Sequence, residues 1–266
     1  MGLHTTAIGR GTPRVAYLHG LLGQGKNLAT IAKAVATTDP GLLYDLPNHG
    51  RSSWTTDVGY ATMADTVAAD LRERIGHGPP VTVVGHSMGG KTAMAIALRH
   101  PDLVRGLVVL DIAPDDSSHG YGFHRLIDAL RDVPLDRVEA RADADALLAP
   151  SVQEPGVRSF LLQNLHRTPE GWAWRANLDL LYESLPLISG WPAGVRGVFD
   201  GPVLWLRGAE SGYVTDEHVP FMKELFPRAR LVTIKNAGHW LHSEQPEAVS
   251  QSLAMFLASL RPELSR

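Results

Sequence analysis

Short apolar runs recur along this chain at residues 15–18, 42–44, 81–84, 107–110, 203–206 and 231–234, and segments of helical period lie between most of them, at 27–36, 62–75, 88–100, 216–225 and 247–260. A strand buried on both faces reads as an unbroken apolar run, and a helix between two such strands carries the chain back to the same edge. The pattern therefore predicts an α/β fold with a mostly parallel sheet flanked by helices. In the last helix Val249, Leu253, Phe256, Leu257 and Leu260 share one face, expected to lie on the core. The alternation stops between residues 115 and 200, where no strand of the buried type is visible but several helical segments are. That stretch holds 13 acids, 8 arginines and no lysine, together with Trp172, Trp174 and Trp191. It is expected to be a mostly helical insertion, with Pro114, Pro192 and Gly201-Pro202 at its edges. The expected organisation is a core made of 1–114 and 201–266 with a helical cap at 115–200, which suits 266 residues better than two independent domains.

Composition narrows the chemistry. With no cysteine there is no disulfide, thiolate zinc site, iron–sulfur cluster or cysteine nucleophile, so covalent catalysis must use oxygen or nitrogen. A formal charge of −3 offers no broad basic field for nucleic acid. No apolar stretch approaches 18 residues, so no stable membrane insertion is expected, and the polar start from Met1 to Arg14 lacks the apolar core of a signal peptide. A cytoplasmic location is the expectation. Met1-Gly2-Leu3-His4-Thr5-Thr6 fits a loose myristoylation pattern, which is short and would anchor weakly.

The segment Val81-Thr-Val-Val-Gly85-His86-Ser87-Met88-Gly89-Gly90-Lys91-Thr92 runs from a buried strand through a glycine-rich turn into a helix. Small residues two before and two after Ser87 are what a nucleophile elbow needs, because the turn lifts the serine hydroxyl clear and aims the first helical N–H groups at a reacting carbonyl. The same letters match a phosphate-binding loop through Gly85, Gly90, Lys91 and Thr92, with Asp111 after an apolar strand as a magnesium-holding acid, so a nucleotide hydrolase is the rival of another class. Context separates the two. His19-Gly20-Leu21-Leu22-Gly23 follows an early strand, where an oxyanion loop would sit, and Gly238-His239 lies between the last strand and the last helix, from which a histidine reaches over Ser87. A phosphate loop predicts neither and usually follows the first strand of its domain.

A serine hydroxyl needs a base, and the base needs an anionic partner. His239 is the base candidate. His242 makes an H-x-x-H with it, but a metal site would need a third ligand, and none is expected. His86 is expected to line the pocket, His19 to brace the oxyanion loop, and His49 to sit in a structured turn. For the acid, Asp111 at the end of the strand before the insertion competes with Glu210 and Asp216, since Ser211 occupies the place after the following strand where an Asp is common.

These residues resemble the α/β-hydrolase superfamily along the whole chain. The motifs His19-Gly-Leu-Leu-Gly23, Asn48-His-Gly50 with Ser52, Gly85-His-Ser-Met-Gly-Gly-Lys91, Asp111-Ile-Ala-Pro114 and Gly238-His-Trp240 look more narrowly like the YbfF-type bacterial esterases; Pro47 departs from the Arg that such relatives tend to carry. The resemblance implies an α/β-hydrolase fold with an inserted helical cap and Asp111 as the acid, with Ser211 near the His–Asp pair. It implies a Ser-linked acyl-enzyme, hydrolysis of short-to-medium acyl esters or thioesters, a small-molecule ester substrate, and no metal or organic cofactor. A cofactor-free haloperoxidase or a carbon–carbon bond hydrolase on the same residues is the alternative. Leu21 and Met88 would supply the oxyanion N–H groups, and His86, Trp191, Tyr213 and Trp240 would line the pocket. Tyr121, Phe123, Trp172 and Trp174 would serve either an apolar acyl site or the core of the cap itself.

Overall fold

The computed structural model describes residues 2–115 and 121–261, and of Tyr121 only the backbone, so that aromatic side chain lies outside the described residues. In chain order the strands are β1 (Thr5–Ile8), β2 (Val15–Leu18), β3 (Gly41–Tyr44), β4 (Val81–His86), β5 (Val104–Leu110), β6 (Leu165–Thr168), β7 (Gly171–Trp174), β8 (Val203–Gly208) and β9 (Ala229–Ile234). All but β6 and β7 join one seven-stranded sheet in the order β1-β3-β2-β4-β5-β8-β9. Every pairing in it is parallel except that of β1 with β3. Strands β2, β3 and β4 are buried at every residue because each has a neighbour on both sides and helices above and below. The edge strand β1 was not expected. Its sequence Thr-Thr-Ala-Ile carries little apolar signal because two of its four residues face solvent.

The first core segment carries helices α1 (Ala29–Val35), α2 (Tyr60–Ile75) and α3 (Met88–Arg99). The stretch between β5 and β8 carries α4 (Tyr121–Arg131), α5 (Arg141–Leu148), α6 (Pro155–Leu162), α7 (Leu178–Glu183) and α8 (Leu185–Ser189), and the last segment α9 (Val219–Leu225), α10 (Leu241–Glu244) and α11 (Pro246–Ser259). Alternate residues of the strands feed two apolar clusters. Tyr17, Val108 and Leu206 pack with Ile31, Leu253 and Leu257 on one face, while Leu18, Val109 and Trp205 pack with Met63, Leu71 and Met94 on the other. The expected stripe on α11 is buried at Val249, Leu253 and Leu257, and Phe256 and Leu260 lie against Gly106 of β5, where a β-carbon would sit 2.8 Å from the Leu260 side chain.

Between β5 and β8 the stretch is mostly helical, as expected, and adds one hairpin that the sequence reading did not include. β6 and β7 form an antiparallel hairpin with Leu165 opposite Trp174. Its sequence Gly-Trp-Ala-Trp is only half-buried throughout, so it lacks the continuous apolar run that marks the sheet strands. The parallel strands all end on one rim, and the segments that follow β4, β5, β8 and β9 bring Ser87, Asp111, Ser211 and His239 to that rim.

Candidate active site

Ser87 is the single residue between β4 and α3, with φ 52° and ψ −120°, a left-handed conformation that costs about 1–3 kcal/mol in a non-glycine residue. The turn closes only without side chains around it. A β-carbon on Gly85 would collide with the carbonyl of Gly89, and one on Gly89 would collide with the carbonyls of Leu18 and His19. The Ser87 N–H is donated to the Leu110 carbonyl of β5, which ties the turn to the neighbouring strand.

From Ser87 a hydrogen-bonded path leads to Asp111. Ser87 Oγ lies 3.0 Å from His239 Nε2, and His239 Nδ1 lies 2.9 Å from Asp111 Oδ2. Asp111 is wholly buried and also has a positive φ of 51°. Its Oδ1 accepts the Gly208 N–H at 2.9 Å, and its Oδ2 also accepts the hydroxyl of Ser211. Three donors therefore hold this carboxylate, one of them the serine that stands where an acid was expected. Glu210 is exposed, and Asp216 is engaged by Arg207 at 2.7 Å, so neither is brought to His239. The ring of Tyr213 stacks on the His239 imidazole at 3.7 Å between centroids, which sequence spacing gave no means of finding.

The loop after β2 is held by two buried histidines. His19 Nδ1–H donates to the Gly20 carbonyl at 2.7 Å and its Nε2 accepts the Leu46 N–H at 2.9 Å; His49 Nδ1–H donates to Pro47 at 2.9 Å and its Nε2 accepts the Leu22 N–H at 3.1 Å. Each ring thus serves as donor on one side and acceptor on the other, the pattern of neutral imidazole. Burial lowers both below the ordinary histidine range, His49 to about 3. Leu22 has φ 59°, so the loop is turned sharply at the residue after Leu21.

A cavity of about 430 Å³ opens beside Ser87, and among its walls are Leu21, His86, Trp240 and His242 from the core and Phe123, Val157, Phe160 and Gln163 from the insertion. Tyr213 and Met88 face a smaller adjoining space that Ser87 and Leu21 also border. Trp191 lines neither. It follows α8 and is half-buried against the main apolar cluster, so its bulk serves packing. Trp172 and Trp174 likewise stand away from Ser87, on β7, and among the described side chains of the aromatics proposed there only Phe123 reaches the cavity. The contribution of α6 was missed, because its Pro155 start and apolar face could have marked a helix but not what it covers.

His86 Nε2–H donates to the His239 carbonyl at 2.8 Å, joining the elbow to the loop that carries His239. Burial, then the neighbouring His242 and His239, hold His86 well below its usual range; burial and His239 bring His242 to about 4. Among the described residues no group of histidines and acids is placed to hold a metal ion. Lys91, the lysine of the rival phosphate-loop reading, is buried with its ammonium donating to the carbonyls of Asp115 at 2.8 Å, Ser189 at 2.6 Å and Gly190 at 3.0 Å. It cannot also wrap a phosphate at the elbow.

A family model described as alpha/beta hydrolase fold matches residues 13–246. The sn-1-specific diacylglycerol lipase ABHD11 of Mus musculus is 40% identical over 252 residues, covering 92% of this chain and 81% of that protein. Esterase YbfF of Escherichia coli (strain K12) is 32% identical over 250 residues, covering 91% of this chain and 92% of its own. Among solved structures, a marine microorganism esterase matches with TM-score 0.91 and 35% identity over 96% of this chain and 98% of that one.

Proposed function

Because this chain belongs to the α/β-hydrolase family, whose similar members here are esterases and lipases, we propose that it cleaves short-to-medium acyl esters, or thioesters, through an acyl-enzyme on Ser87. The observation that carries this reading is the unbroken hydrogen-bonded path from Asp111 through His239 to a serine at the mouth of a cavity.

In the proposed reaction His239 Nε2 takes the proton of Ser87 as its oxygen attacks the ester carbonyl. Asp111 keeps the Nδ1–H tautomer and stabilises the imidazolium that forms. The N–H groups of Leu21 and Met88 receive the oxyanion, each worth about 3–4 kcal/mol. His239 then protonates the leaving alcohol, and water repeats the sequence on the acyl-enzyme. Ser211 donates to Asp111 and Tyr213 holds the imidazole ring in plane, so both act by positioning. No step calls for a metal or cofactor.

Residues 115–200 act as a cap over the core formed by 1–114 and 201–266, and Phe123, Val157 and Phe160 are its apolar contribution to an acyl site. The cavity lies within the size range of small-molecule sites. The name of the mouse relative makes an acylglycerol ester a substrate to include in testing. The test is a nitrophenyl-ester series of increasing chain length on wild type and Ser87→Ala. Turnover that peaks at short or medium chains and is lost in the variant supports the reading; undiminished turnover in Ser87→Ala removes it.

A further inference from the structure

Behind Gln163 lies a second concave site whose charge is opposite to that of the whole chain. It has a volume of about 490 Å³ and lies between core residues 45–51 and the β6–β7 hairpin. Five cations border it, Lys26 and Arg51 from the core and Arg141, Arg167 and Arg175 from the insertion, against the single carboxylate of Asp45. That carboxylate is already occupied, because Oδ1 accepts the Gly25 N–H at 2.8 Å and Oδ2 the Arg51 N–H at 2.9 Å. The imbalance is notable in a stretch where acids outnumber arginines 13 to 8.

Two of the cations are fixed from behind. Arg141 donates to the carbonyls of Leu162 and Leu165, and Arg167 donates to the carbonyl of Glu139 while its guanidinium lies 4.4 Å from the centre of the Trp172 ring. The side chains of Lys26, Arg51 and Arg175 have no hydrogen-bond or ion-pair partner among the described residues. Their charges act on one another: burial, then Arg141, with Arg175 and Arg51 adding and Asp45 opposing, lowers the Lys26 ammonium below the ordinary lysine range. A buried polar group of the same wall, the Nε1–H of Trp172, is also without a partner among the described residues. Cations gathered with this little compensation repel one another, and a bound anion would remove that cost.

We propose that this cavity binds a phosphate group. Guanidinium forks match the oxygens of a tetrahedral dianion in pairs, and the free side chains of Arg51 and Arg175 with the Lys26 ammonium supply the charge and donors it needs. Gln163 lines both this cavity and the one beside Ser87 and stands between them, held by Asn27 through its side-chain oxygen at 2.8 Å and by Gln24 through its carbonyl at 2.8 Å. The phosphate arrives either free or on the alcohol side of an ester that passes Gln163 to reach Ser87. The second source rests on the esterase reading and the first does not.

Isothermal titration calorimetry with inorganic phosphate and with pyrophosphate, at constant ionic strength against chloride, tests the site. Wild type should bind with one saturable site, and Arg51→Gln and Arg175→Gln should each weaken binding about tenfold, the effect of one charge-assisted contact. Both variants should keep wild-type turnover of a neutral nitrophenyl ester, which shows that they fold. Absence of saturable binding below about 10 mM, or equal affinity in wild type and both variants, overturns the proposal. A second arm compares KM for a neutral ester and for an ester whose alcohol carries a phosphate. A KM about tenfold lower for the phosphorylated ester, lost in Arg175→Gln, assigns the group to the substrate; equal KM values with intact calorimetric binding assign it to free phosphate. If neither ester is cleaved, the esterase reading fails and calorimetry alone judges the site.

Discussion

Asp111 sits at 0% exposure and accepts from His239, Gly208 and Ser211, so the charge that the proposed imidazolium needs is held in place before any substrate arrives. Replacing it by Asn keeps the shape and offers His239 the wrong tautomer partner. Asp111→Asn should lower kcat by roughly 10⁴-fold, whereas Glu210→Gln should leave it within about twofold, as steady-state kinetics on one ester will read. If only the Glu210 variant loses activity, Asp111 is not the acid. The buried histidines carry a pH prediction of their own. His49 and His242 have folded-state pKa values of about 3 and about 4, below the value near 6.5 of an unfolded chain. The unfolded state therefore binds more protons as pH falls, and stability is lost from about pH 6.5 downward toward the folded pKa values, by about 1 kcal/mol per pH unit for each ring. Melting temperatures measured between pH 7 and 4 should fall steadily, and His49→Gln should flatten that slope. At this scale much was legible: the elbow, the His239 loop and the three acid candidates all follow from spacing. The stacking of Tyr213 on His239 was not, because it depends on how the loop after β8 folds back.

At the scale of elements, the core strands were legible because each is an unbroken apolar run, while β1 and the β6–β7 hairpin escaped because all their residues but Leu165 stay at least partly exposed. Helix α6 contributes more to the cavity wall than its sequence suggests. Its Phe160 and Val157 face the cavity beside Ser87, and Gln163 just beyond its end divides that cavity from the basic one. A longer acyl chain should draw on Phe160 and a short one should not. Phe160→Ala should raise KM for a medium-chain nitrophenyl ester by about tenfold, the burial value of one aromatic side chain, with little change for the acetyl ester. Equal effects on both chain lengths would place the acyl group elsewhere. The elbow makes the opposite demand, for space. Gly89→Ala forces a β-carbon against the Leu18 and His19 carbonyls, and the variant should melt several degrees lower and lose turnover even though Ser87 is untouched.

Across the whole molecule, the insertion is joined to the core by buried polar contacts as well as by apolar packing. Lys91 of α3 reaches the carbonyls of Asp115, Ser189 and Gly190 at the two ends of the insertion, Asn164 donates to the Leu22 carbonyl at 2.7 Å, and Tyr60 donates its hydroxyl to Ile188 at 2.6 Å. The lysine that mimics a phosphate loop in sequence is thus a tether, and its identity could not be told from letters alone because its partners lie 24 to 99 residues away. Lys91→Met keeps the length, leaves buried carbonyls unpaired, and should cost about 1–3 kcal/mol by denaturant unfolding. No helix among the described residues is long and apolar enough to cross a membrane. Whether Ser87 forms the covalent intermediate is read by mass spectrometry of the protein after treatment with a nitrophenyl dialkyl phosphate. One dialkylphosphoryl adduct per chain is expected, mapped to the peptide containing Ser87, with turnover lost in proportion and no adduct in Ser87→Ala. An adduct on another residue, or full turnover in a chain labelled at Ser87, would contradict it.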